Sequence, residues 1–284
     1  MKRAKTLIFA GAHPDDETFG VGGTLAQHAA AGVKVYYVCG TRGEAGSVDP
    51  EQVRGYGSVG DLRWAELECA AKILGLAGVT HLGYRDSGMP GTEDNKHPLA
   101  LMHQPLDEVT GRIVKVIREL KPEVVITFDP IGGYRHPDHI AMHNATVRAF
   151  YAAGDVKQYP EAGPAFQASK LYFHVFQRGL MKLAVRLMPL LGQDPHHFGR
   201  NKDIDIASIM LTEFPIHAIV RLNKEAVEAR EKASACHASQ LGGRPRGMGL
   251  FNLASRLSGP RDTFMRAYPP PGKKRETDLF AGVY

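Results

Sequence analysis

The chain has 284 residues, 43 % of them apolar and 23 % charged, and 35 Lys and Arg against 30 Asp and Glu leave a formal net charge of +5. These are ordinary values for a soluble globular protein, long enough for one large α/β domain with elaborations or for two small ones. No apolar run approaches the roughly 20 residues that cross a bilayer, and the positive excess is spread out; the one short basic run, Lys273-Lys274-Arg275, lacks the interleaved aromatics of a nucleic-acid surface.

Thr6 to Ala10 reads as a buried first strand, too short for the core of a signal peptide. Thr18 to Ala31 reads as a helix stopped at Gly32, and Val33 to Cys39 as a second strand. A Gly-rich loop runs from Gly40 to about Gly60, of the kind that carries function at a sheet's carboxyl edge. Leu62 to Leu74 has helical apolar spacing through Leu67, Ala70, Ala71 and Leu74. A short strand, Val79 to Leu82, and a loop with Pro90, Gly91 and Pro98 come next, then an amphipathic helix from Leu106 to Leu120. Glu123 to Phe128 is another buried strand, and Asp138 to Ala152 is helical. Repeated βα units predict a Rossmann-like α/β fold, a mostly parallel sheet with helices on both faces.

Beyond residue 155 the pattern loosens. Leu171 to Phe176 reads as a strand, Gly179 to Leu191 as an apolar, basic helix, and Gln193 to Asp205, with His196-His197, as a loop without a ligand role. Lys224 to Ala238 is a charged helix with Glu225, Glu228 and Arg230 facing solvent, and the stretch from Leu241 is rich in Gly, Pro and Arg. No repeat or linker divides the chain. The expectation is one domain over 1–284, with a core at 5–155 and a C-terminal elaboration and closing helix at 156–284. Cys39, Cys69 and Cys236 are too few and too scattered for a disulfide framework or a cysteine-based zinc site, which fits a reducing compartment and a cytoplasmic protein.

Two strand ends carry the chemistry. His13-Pro14-Asp15-Asp16-Glu17 follows the first strand, and Asp129 to His139, with two glycines and two histidines, follows the strand at 123–128. Open parallel sheets bind ligands beyond the carboxyl ends of their strands. His13, Asp16 and His139 offer two imidazoles and a carboxylate to one ion, leaving a fourth position for water. Such a donor set accepts Zn2+ and also Fe2+. Asp15, beside a ligand yet pointing elsewhere, suits a general base, although its neighbour could exchange roles with it. His136 can stabilise a developing oxyanion, with Asp138 holding its ring and favouring its protonated form. The competing reading is a pair of Pro-containing turns whose polar residues only cap helices. Glu17 reads as an outer-sphere or first-turn helix residue, and Asp86 either orients a substrate hydroxyl or caps a turn. Gly20, Gly22 and Gly23 do not make the full dinucleotide fingerprint, which argues against a nucleotide-dependent oxidoreductase; close helix packing explains them.

"AHPDDE" after the first strand, "GGYRHPDH" after the later one, "LGYRDSGMPG" at 82–91 and "KASACHASQ" at 232–240 resemble the zinc-dependent N-acetylglucosaminyl deacetylases of the PIG-L/LmbE type. That family includes deacetylases of mycothiol and bacillithiol biosynthesis and the mycothiol S-conjugate amidase. The resemblance covers residues 5 to about 150 well and 224–240 moderately; between 155 and 220 it carries nothing over. It implies zinc on His13, Asp16 and His139, Asp15 as general base and then acid, His136 at the oxyanion with Asp138 behind it, and Tyr134 near the substrate carbonyl. Arg63 matches a basic residue that contacts substrate, against a plain alternative of a solvated helix residue; His237 is placed near the site or merely in the packing. The implied activity is removal of an N-acetyl group from an N-acetylglucosamine-type sugar or conjugate through a zinc-bound water. The alternatives are cleavage of the amide in a thiol S-conjugate, and a non-catalytic zinc- or carbohydrate-binding protein, against which Asp15 speaks. The expected partner is a small amino-sugar conjugate, with no nucleic acid or membrane, and a homo-oligomer stays open.

Overall fold

The computed structural model describes residues 3–176, 179–197, 204–241 and 259–283. Strand β1, Thr6–Gly11, is buried along its whole length. Two short helices follow, α1 at Asp16–Phe19 and α2 at Gly22–Ala30, where the sequence predicted one. The break at Gly20 and Val21 lets glycines meet their neighbours closely: a Cβ on Gly23 would lie 2.2 Å from a Leu222 methyl. Strand β2 is Lys34–Cys39. Helix α3, Val59–Leu74, begins earlier than its apolar spacing suggested because Ser58 caps it, its side chain accepting from the Asp61 amide. Strand β3 is Gly78–His81, α4 is Leu106–Leu120 and β4 is Val124–Phe128. A single turn, α5 at Gly132–Arg135, leads into α6, Pro137–Ala152.

The later part adds β5 at Lys170–His174, α7 at Gly179–Leu187, α8 at Ile206–Ile209, β6 at Ala218–Arg221, α9 at Lys224–Cys236 and β7 at Arg261–Tyr268. Neither β6 nor β7 was read from the sequence. Among the described residues, the seven strands form one sheet in the order β3-β2-β1-β4-β5-β7-β6. The first five pair in parallel, while β7 runs antiparallel to both β5 and β6. Order reverses between β1 and β4, so the crevice beyond their carboxyl ends is the switch point at which such sheets take ligands.

Two expectations need correction. Cys69 on α3 and Cys236 at the end of α9 form a disulfide, with Cα atoms 5.9 Å apart across 167 residues of chain. The helices pack side by side, which no spacing in the sequence displays, and the cysteine count therefore carries no argument about redox compartment. Arg230 is only half exposed, and its guanidinium lies 3.6 Å from buried Asp262. No helix among the described residues is long and apolar enough to cross a membrane.

Candidate active site

After β1 the chain turns so that the Asp16 side chain folds back on it. The amides of Ala12 and His13 donate to Asp16 Oδ2 at 2.9 and 2.8 Å. Tyr37 Oη donates to the His13 carbonyl at 2.6 Å, and a Cβ on Gly11 would come within 2.6 Å of that oxygen, so only glycine fits there. Asp15 is held at φ 119°, a conformation costing about 1–3 kcal/mol for a residue with a side chain. Such strain gathers where the surrounding structure fixes a functional geometry.

The second loop is shaped by Asp129, whose Oδ1 accepts from the amides of Ile131 at 3.0 Å and Gly133 at 2.9 Å. His136 caps α6 with Pro137 in the first helical position, an arrangement that loses no hydrogen bond. His139 then comes one turn into the helix, stacked on Phe128 with ring centroids 3.8 Å apart.

The two loops meet at a triangle of donor atoms. His139 Nε2 lies 3.3 Å from both His13 Nδ1 and Asp16 Oδ1, and His13 Nδ1 lies 3.7 Å from Asp16 Oδ2. A tetrahedral zinc with bonds of about 2.0–2.2 Å needs ligand atoms separated by about 3.3–3.6 Å, so these residues fit a divalent ion. His13 Nε2 is taken by Asp138 Oδ2 at 3.0 Å, which leaves Nδ1 available to an ion. Two other sets also bring ligand atoms within 4.8 Å of one another, His13 with His136 and His139, and His13 with Asp86, His136 and Asp138. In the second, Asp86 and Asp138 approach His13 at the engaged Nε2. Burial alone would raise the Asp16 carboxyl, but His139 and His13 outweigh it and hold it below the usual carboxylate range.

Asp138 thus corrects an expectation. Its carboxylate bonds His13 and accepts from the Ser87 amide at 2.9 Å and from the Ser87 hydroxyl, whereas His136 Nδ1 receives only the Asp138 backbone N–H, at 3.2 Å. In the first turn of α6 its carboxylate faces β1, not the cap behind it. Nor is His136 held protonated: burial, then repulsion from His13 and His139, pushes it well below the ordinary imidazole value.

Asp15 stays outside the triangle. Burial and the neighbouring Asp16 raise its carboxyl to about 6, against the pull of Arg63. Arg63 is no solvated helix residue: only 4 % exposed, it donates to Gly43 O at 2.9 Å, Pro14 O at 2.7 Å and Asp15 Oδ2 at 3.0 Å. Of the two roles foreseen for Asp86, the turn cap is the one the structure displays. Its carboxylate accepts from Gly88 N at 2.8 Å, and it faces the cleft 3.4 Å from His13 Nε2. Tyr134 sets its ring 4.9 Å from that of His139, and burial raises its phenol, which stays protonated.

Asp15, Arg63, Asp86, Tyr134, His136 and Gln240 line a cleft of about 200 Å³. Gln240 was not singled out in the sequence, although it ends the matched "KASACHASQ" run. Glu17 and His237 prove to be fully buried partners, His237 Nε2 lying 2.7 Å from Glu17 Oε1. Ser239 ties the same segment to α3 by two bonds to Glu66, at 2.8 and 2.7 Å. His196 and His197 are exposed and paired with Asp205 and Asp194, and neither lines the cleft.

A parallel sheet with a His–Asp–His triad and a separate carboxylate at its switch point defines the class of metal-binding α/β hydrolases. The family model for PIG-L, GlcNAc-PI de-N-acetylase, matches residues 8–150, and the chain belongs to that family. It is 36 % identical over 297 residues to a 1D-myo-inositol 2-acetamido-2-deoxy-α-D-glucopyranoside deacetylase of Rhodococcus erythropolis, covering 99 % of this chain and 98 % of the relative. A relative of the same name from Rhodococcus jostii is 34 % identical, covering 98 % of each. Among solved structures, the N,N'-diacetylchitobiose deacetylase of Pyrococcus horikoshii shares the fold at a TM-score of 0.64 and 21 % identity, over 99 % of this chain and 87 % of that one.

Proposed function

We infer that this chain is a zinc-dependent hydrolase that removes the N-acetyl group from an N-acetylglucosamine-type sugar conjugate, with the inositol conjugate named in its Rhodococcus relatives as first candidate. One observation carries the reading: a half-buried carboxylate, Asp15, borders the cleft beside the triad without belonging to it. His13, Asp16 and His139 would hold the ion, which supplies the positive charge that acidifies a water and polarises an amide carbonyl.

The chain's own groups do the rest. Asp15 takes the proton of the attacking water and returns it to the leaving amine; burial poises it for both tasks. Arg63 holds Asp15 in place and limits how far burial can raise it. Tyr134 and His136 border the space where the amide oxygen gains charge, and the protonated phenol donates there. Asp86 faces the same cleft and accepts from sugar hydroxyls.

The test is a panel of N-acetylglucosamine, its inositol and malate conjugates, N,N'-diacetylchitobiose and a thiol S-conjugate, assayed for released primary amine on protein of measured metal content. The expected result is turnover of a sugar conjugate with one zinc per chain. Amine release from the thiol conjugate alone would replace the deacetylase reading with the amidase. Failure on the entire panel at full metal loading would reject both.

A further inference from the structure

Glu17 and His237 are absorbed by no step of the proposed chemistry, yet their side chains are fully buried beside it. Helix α9 ends at Cys236, and His237 terminates it with its ring against Phe19, the centroids 5.7 Å apart. Its Nε2 meets Glu17 Oε1 at 2.7 Å, and the Thr18 hydroxyl donates to the same oxygen. The other carboxylate oxygen, Oε2, accepts from the backbone amide of Asp15 at 2.9 Å. Asp15 is the residue held at φ 119°, and its own carboxylate is caught by Arg63 at 3.0 Å. Asp15 is therefore gripped at both ends, backbone by Glu17 and side chain by Arg63.

Packing alone does not account for this pair. Burying a carboxylate and an imidazole costs desolvation that an apolar pair of the same volume avoids. The partners also come from opposite ends of the sequence, so the contact forms only when the segment after α9 closes over α1. We propose that His237, acting through Glu17, is a positioning residue for Asp15: by holding Oε1 of Glu17 it aims Oε2 at the Asp15 amide and so fixes the strained backbone that presents the Asp15 carboxylate to the cleft. The proposal rests on the reading of Asp15 as general base.

The experiment compares metal-loaded wild type with His237→Ala, His237→Gln and Glu17→Gln, with Asp15→Asn as reference. Positioning groups one step removed from the chemistry cost about 10–100-fold when lost. His237→Ala is expected to lower kcat by that factor, with KM and metal per chain within twofold of wild type. His237→Gln, whose amide can still donate to Glu17, is expected to recover a large part of the loss. Glu17→Gln preserves volume, so it tests the same link should His237→Ala fail to fold: with its oxygen on the Asp15 N–H, its NH2 faces His237 Nε2, which can accept only in the tautomer that leaves a buried Nδ1–H without a partner, and kcat falls alone. Wild-type kcat in the folded variants would overturn the proposal, as would a loss of kcat that follows loss of metal. If Asp15→Asn itself keeps full turnover, the assignment of the base fails instead; an inactive Asp15→Asn beside a fully active Glu17→Gln sinks the positioning role alone.

Discussion

The Asp138 carboxylate lies 3.0 Å from Nε2 of His13, on the side of the ring away from the donor triangle. A carboxylate in that place fixes the tautomer and raises the basicity of the nitrogen turned toward the ion, and its loss typically weakens metal binding about 10–100-fold. Asp138→Asn is expected to show that loss in competition against a chromogenic chelator, while the fold is kept. Unaltered affinity would mean that Asp138 serves Ser87 and the loop at 86–88 rather than the ion.

Asp15 and His139 separate the two halves of the mechanism. Asp15→Asn should retain its metal and lose turnover by about 10²–10⁴-fold, the usual contribution of a positioned acid–base group. His139→Ala should lose the metal itself, because one corner of the 3.3 Å triangle disappears. Metal analysis after dialysis, paired with kcat, distinguishes the two outcomes, and equal metal content in both variants would count against His139 as ligand.

His174 provides a pH-dependent stability prediction. Burial lowers its imidazole from 6.5 to about 4, opposed by the Asp16 charge. The folded state keeps the ring neutral where the unfolded chain protonates it, so the stability is intact above pH 6.5 and drains away as pH falls toward 4. The full effect is about 3 kcal/mol at the acid end. Denaturant unfolding of wild type and His174→Leu between pH 7 and 4 should converge or cross by that amount. Parallel curves would show that the ring titrates alike in both states.

The Cys69–Cys236 disulfide closes a loop of 167 residues. Such a crosslink stabilises by about 2–4 kcal/mol, chiefly by restricting the unfolded chain. Cys69→Ala with Cys236→Ala should lower the unfolding free energy by that amount under oxidising conditions and by little in dithiothreitol. Thiol titration of the denatured wild type should find one reactive cysteine, Cys39; three would mean the bridge is absent in solution.

The parts of the fold that could be read in the sequence are those whose cause is local. The buried runs at 6–11 and 124–128 announce strands because both faces of a central parallel strand are apolar, and the ligand residues stand immediately after them. Strand β7, Arg261–Tyr268, carries two arginines, an aspartate and a threonine among its apolar residues; its antiparallel partners accept that mixture, and no apolar run marks it. The partners of Asp138, Arg63 and His237 were illegible for a different reason. Each reaches across the sheet's edge to a residue 48 or more positions away, and side-chain direction at such range is set by packing.

The sheet order β5-β7-β6 places the last strand in the chain between two earlier ones. A polypeptide emerging from the ribosome can assemble β1 and β4, and with them His13, Asp16 and His139, while β6 still has no neighbour to pair with. The side of the cleft formed by Gln240, after α9, is likewise made later than the donor triangle. A chain nicked or stopped ahead of β7 keeps the loops after β1 and β4 but leaves β6 without its partner, an unfinished sheet edge for quality control to remove.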